Sequence, residues 1–170
     1  MTDWSQVVRE HGPLVWRTVY RLLNNEVDAS DCFQRTFVSA LELERREPVS
    51  HWPALLKHLA TARALEQLRQ RGRESERWKA LPDGLHADCK HVGPIQAAEA
   101  SELADRLRAA MAGLEPQQSE VFGLACVEGL SYEQIAERLD VTVNHVGVLL
   151  HRARSNLRGR LGADEAPAAR

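Results

Sequence analysis

The side chains able to do chemistry fall into two kinds of grouping. The first is His86-x-x-Cys89-x-His91, metal-ligating types close together in the chain. A tetrahedral zinc site needs four ligands, commonly in two paired spacings, and no fourth stands nearby; these residues read as loop. No Gly-rich phosphate loop, GxSxG nucleophile turn or HExxH helix occurs. No catalytic residue, metal ligand or cofactor is therefore assigned, and the chain is expected not to be an enzyme. The second grouping lies near the C-terminus, where Asn144, His145, Val148, Arg152, Arg154 and Arg158 recur without an acidic neighbour. Asn and His hydrogen-bond to base edges, and arginines hold phosphates. This is the chemistry of binding to nucleic acid.

Charge is distributed to the same effect. The net value of −2 conceals two basic segments in an acidic background. Residues 52–79 hold seven Lys/Arg against three Asp/Glu, and residues 142–161 hold four Arg and no acid. Between them, residues 80–141 hold four Lys/Arg against eleven Asp/Glu. A local positive stripe, more than overall charge, attracts phosphate.

The elements that must carry these residues read as helices. Hydrophobic residues make up 44% and aromatics only 5%; Ala, Leu, Glu, Gln and Arg abound, and long Val/Ile/Thr runs are missing. A short helix is expected before Gly12, then one from Pro13 to about Asn24, since proline suits a first helical turn. Asp28 or Ser30 is expected to cap the next helix, with Phe33, Phe37 and Leu41 along it. Another runs from Trp52, the anchor of its start, to about Arg71. Glycines and prolines interrupt residues 72–96. A helix over 97–112 follows, then one opened by Pro116 and closed by Gly129. The expected fold class is all-α: two small helical domains, 1–73 and 97–161, joined by a flexible linker, 74–96, with a tail over 162–170. Cys32, Cys89 and Cys126 are too few and too scattered for a disulfide framework. Neither a secretory signal nor a run of about 20 apolar residues appears, so a cytoplasmic protein without membrane insertion is expected.

The second grouping lies on a helix-turn-helix. Ser131-x-x-Gln134 is a capping box that starts a short helix, Tyr132–Leu139. After a tight turn, Thr142 caps a second helix to about Leu161, with Val146, Leu149, Leu150, Ala153 and Leu157 as its apolar stripe. In such a pair the second helix can enter the major groove.

At this point the sequence becomes recognisable. LEPQQSEVFGLACVEGLSYEQIAERLDVTVNHVGVLLHRARSNLRGRL resembles the promoter-binding region four of sigma-70 family factors. DASDCFQRTFVSAL resembles the polymerase-binding helix of region two, and HWPALLKHLATARALEQLRQRGR resembles the helix after it, which reads the minus-ten element. Two motifs of one family in order, over residues 5–73 and 100–161, and no other domain, resemble an extracytoplasmic-function (ECF) sigma factor. The resemblance implies that Asp31, Gln34 and Phe37 meet the clamp helices of the polymerase β′ subunit, and that the second domain meets the β flap. It implies that His58, Arg63, Gln67 and Arg71, with Gln70, face the opened non-template strand. Core RNA polymerase, promoter DNA and an anti-sigma factor are the implied partners.

This chain departs from the family at several positions. Ala62 stands where the family often has Asn, and Gly147 and Leu149 stand where basic residues are common in the last helix. Two rivals remain: a helix-turn-helix regulator that binds duplex DNA without polymerase, and a protein-interaction module derived from a sigma factor.

Overall fold

The computed structural model describes residues 2–79 and 98–163, and every regular element among them is helical. The first, α1 (Trp4–Leu23), begins where the Asp3 carboxylate accepts from the Gln6 amide at 3.2 Å. It runs unbroken through Gly12-Pro13, where a break is expected from sequence. Interior proline costs about 3 kcal/mol against alanine. The buried stripe Val7, Val15, Val19 and Leu22 crosses that point and packs on the other helices, so tertiary burial outweighs the local cost. Asn24, in the left-handed conformation (φ 48°), closes α1. Asn25, and not Asp28 or Ser30, caps α2 (Glu26–Glu44), its side-chain oxygen accepting from the Asp28 amide at 3.0 Å.

The third helix, α3 (Trp52–Lys79), starts where expected but continues about two turns beyond Arg71. Gly72 does not end it. A Cβ at residue 72 would lie 3.0 Å from the Ala112 Cβ, so this glycine permits a close helix–helix approach. Residues 74–79 of the expected linker are thus helical; 80–96 lie outside the described residues, as do His86, Cys89 and His91.

In the second half, α4 (Ala98–Ala112) is followed by α5 (Pro116–Gly123), with Pro116 in its first turn. A π-helical turn, Leu124–Glu128, extends α5, and Gly129 closes it at φ 78°. The capping box forms as expected. Gln134 N–H donates to Ser131 Oγ at 3.3 Å and Ser131 N–H donates to Gln134 Oε1 at 2.9 Å, which opens α6 (Tyr132–Leu139). Asp140 (φ 52°) turns the chain. Thr142 Oγ1 then accepts from the His145 amide at 3.2 Å at the head of α7 (Val143–Ala163).

Two apolar cores result. Val121, Leu124, Ile135, Val146, Leu149 and Leu150 bind α5, α6 and α7 into the helix-turn-helix. The larger core joins Val15, Val19, Leu23, Leu56 and Ala60 of the first half, and it continues through Leu65 and Leu68 into Met111, Leu114, Ala153 and Leu157 of the second. The third helix lies between the halves and is buried on two sides.

Candidate nucleic-acid and polymerase interfaces

The last helix presents one clean face. Val146, Leu150, Ala153 and Leu157 are buried on one side of α7. Asn144, Val148, His151 and Ser155 follow the same helical spacing on the opposite side and are exposed. His145 and Arg152 flank that face on one side, and Arg154 and Arg158 on the other; all four are exposed. Every sequence-predicted residue of this helix therefore lies within one open, basic surface. Asn144 and His145 come from its first turn, the part of a recognition helix that meets base edges. The head of α6 is also polarised: its own backbone amide and the Ser131 hydroxyl hold the Glu133 carboxyl below the usual carboxylate value.

The two family departures on α7 are not equivalent. Leu149 is 6% exposed and belongs to the helix-turn-helix core. A basic side chain there would not lie on the open face. At Gly147 a Cβ would find only Tyr132, at 3.9 Å, which is ordinary contact. That position is open, and only there is a cationic group missing from the surface.

The set expected on α3 is not uniformly open: Arg63 is exposed, whereas His58, Gln67 and Arg71 are partly buried. His58 Nδ1 donates to Glu128 Oε1 of the π-helical turn at 3.2 Å. Arg63 Nη2 donates to Ser39 Oγ of α2 at 2.8 Å. Arg71 pairs with Asp28 and donates to the Leu23 carbonyl at 3.3 Å. Burial pulls the Arg71 guanidinium below its usual value, and nearby Arg108 adds to that; an arginine still keeps its charge. Gln67 is half-buried. The reason is the double burial of α3. One amphipathic stripe is legible in a sequence, but a helix clasped on two sides has its polar residues drawn into both seams. Ala62, Arg63, Glu66, Gln70, Arg73 and Arg77 are among the exposed positions of its middle and end. Trp52 anchors the start of α3, stacked edge-on against Trp4 with centroids 5.1 Å apart.

On α2, Asp31 is half-exposed and ion-paired with Arg35 at 3.0 Å, and Gln34 is exposed. Phe37 is 9% exposed, its ring 5.0 Å from that of Phe33. It belongs to the core, so it supports the helix from inside and does not present a contact surface. Cys32, one turn before it, is buried; burial first, then Asp31, pushes its thiol above the usual value, which makes it a structural thiol. No metal-binding cluster of His, Cys, Asp and Glu exists among the described residues, nor is any helix there long and apolar enough to cross a membrane.

Sequence reasoning missed Gly123 and Glu128. A Cβ at residue 123 would lie 2.6 Å from Leu65 Cδ1 and 3.2 Å from Thr61 Cγ2. The Glu128 side chain, 5% exposed, meets His58 and also Arg138 at 3.5 Å, while its carbonyl accepts from Lys57 Nζ at 3.2 Å. A glycine inside an apolar helical run was the available signal for the first; for Glu128 there was none.

Comparison with known proteins agrees with this arrangement. Residues 7–74 match the family model of sigma-70 region 2, and residues 104–157 match that of sigma-70 region 4. The chain is 33% identical over 162 residues to the ECF RNA polymerase sigma factor SigE of Mycolicibacterium smegmatis; the match covers 95% of this chain and 62% of that protein. The fold is similar to that of the sigma factor RpoE of Bartonella quintana, solved in complex with the anti-sigma factor NepR. There the TM-score is 0.54 at 23% identity, over 96% of this chain and 99% of the other.

Proposed function

The chain belongs to the sigma-70 family, and from that premise we propose that it acts as an ECF-type sigma factor, binding core RNA polymerase in the cytoplasm and directing promoter-specific initiation. The observation that carries this reading is the pairing of two family regions, in order, on one chain, the second ending in a capped helix-turn-helix with an open basic face. A lone helix-turn-helix would suit any duplex-binding regulator. The additional region 2, with exposed Gln34 and half-exposed Asp31 on α2, is what a polymerase-directed factor requires.

In this reading the polymerase supplies the chemistry, and the chain supplies recognition and strand capture. Asp31 and Gln34 meet the β′ clamp helices, and the second half meets the β flap. The basic end of α3 faces the melted minus-ten strand, while α7 enters the major groove at the minus-thirty-five element, with Asn144 and His145 at base edges and Arg152, Arg154 and Arg158 on phosphates. Tethering two modest contacts raises the effective concentration at the second, and so accounts for specificity in a chain of net charge −2. An anti-sigma factor, the kind of partner bound by the structural relative from Bartonella quintana, is a fitting regulator.

In vitro transcription with purified core polymerase and a genomic promoter library tests the reading. New start sites that depend on the chain are expected. Tight duplex binding with no chain-dependent initiation would establish the regulator instead, and neither binding nor initiation would leave the protein-interaction module.

A further inference from the structure

Three large apolar side chains are left exposed at the head of α6 and in the first two turns of α7. Tyr132 is 38% exposed, Val143 43% and Val148 37%. Among the described residues, none of the three belongs to either apolar core. Tyr132 opens α6 and Val143 opens α7. The Tyr132 ring lies 3.9 Å from the place of a Cβ on Gly147. Gly147 stands one turn after Val143, and Val148 one turn after Asn144.

Single exposed valines are ordinary on a protein surface. These two interrupt a face whose other members are Asn144, His145, His151, Arg152 and Arg158, on a helix without an acidic residue. Such a face suits a polyanion, and the valines then need an apolar group to cover them, since only burial of apolar surface favours their contact. In the major groove, guanine, cytosine and adenine present hydrogen-bonding atoms. Thymine alone adds a methyl group. Gly147 fits the same readout in two ways. It supplies no cation, the group that most often selects guanine. Nor does it carry a side chain to hold a base edge away from its neighbour Val148.

We propose that Val148 reads a thymine by its 5-methyl group, beside the base pair that Asn144 contacts. Val143 and Tyr132 bound the same strip on the α6 side and keep it free of charge. The upstream element of this factor then carries thymine where a cation would select guanine. The inference deepens the sigma-factor reading and rests on it for the identity of that element.

The test is a cycle between one side chain and one methyl group. Promoters are those that holoenzyme initiates from a genomic library. Each thymine of the upstream element is replaced in turn by deoxyuridine, which keeps every hydrogen-bonding atom and loses only the methyl. Closed-complex affinity is measured for holoenzyme carrying the full chain or its Val148→Ala variant, at a temperature that leaves the strands paired. Alanine has the higher helix propensity and Val148 lies outside both cores, so the variant should keep its fold, as circular dichroism checks. At one position deoxyuridine should weaken wild-type binding about four-fold, the worth of one buried methyl. Val148→Ala should weaken binding to the thymine duplex by a similar factor, and combining the two should cost no more than either alone. An upstream element without thymine, indifference to every deoxyuridine, or losses that multiply when combined would overturn the proposal. If the chain directs no initiation, the sigma-factor reading fails instead. The same cycle on duplexes that the full chain selects from a random pool then decides the methyl contact by itself, and failure to enrich any duplex overturns both.

Discussion

Arg152 and Asn144 show how residues on one helix face divide the work. Arg152 lies at the flank of the α7 surface, and Asn144 stands in its first turn. Arg152→Ala should weaken upstream-element binding by holoenzyme at all sequences alike and flatten the salt dependence by about one unit of slope. Asn144→Ala or His145→Ala should instead change which base is preferred. Salt titrations on a panel of single-base variants check both, and a base-specific effect of Arg152→Ala would reverse the assigned orientation. Gly147 makes the complementary case. Since a side chain there meets only Tyr132 at 3.9 Å, Gly147→Lys should fold normally and gain helix stability of up to about 1 kcal/mol. It should steepen the salt slope by about one. Loss of stability in a denaturant melt would mean that the glycine is needed where it stands.

At the scale of the element, α2 carries two jobs on two faces. Asp31 and Gln34 point outward, and Phe37 packs on Phe33. The double variant Asp31→Ala/Gln34→Ala should weaken binding to core polymerase in a pull-down titration while leaving helix content intact. Phe37→Ala should do the opposite first, lowering stability by about 3–5 kcal/mol as buried aromatic truncations do. A Phe37→Ala protein of normal stability that fails to bind polymerase would return the ring to the contact surface. The three-residue spacing in Asp31-x-x-Gln34-x-x-Phe37 alone could not separate these roles, because each step of three moves only about 60° round the helix and carries the run gradually from the open face to the buried one.

At the scale of the molecule, the larger core runs from α1 through α3 into α4 and α7. All four tryptophans lie in the first 78 residues, so their fluorescence reports unfolding of the first half. Leu157, 5% exposed on α7, belongs to that shared core. Leu157→Ala should therefore lower the tryptophan-monitored denaturant midpoint, by about 2–5 kcal/mol in free energy if the halves unfold together. An unchanged tryptophan midpoint beside a shifted far-ultraviolet transition would show that the halves unfold independently.

What could be read in the sequence was whatever local chemistry decides. The all-α composition, the Ser131–Gln134 capping box, the Thr142 cap, Pro116 in a first turn and the α7 stripe all depend on residues within one or two turns of each other, and each formed where expected. The open face of α7 followed because that helix has a single buried side. Tertiary structure decided the rest. Pro13 stayed inside α1 and α3 passed through Gly72 because distant side chains packed across those points. His58, Arg63 and Arg71 look alike as polar residues on a basic helix, yet their partners are Glu128, Ser39 and Asp28, up to 70 residues away in the chain. Helical period and charge describe one element at a time. Which polar group is left open depends on what second surface arrives, and only the folded chain brings that surface to α3.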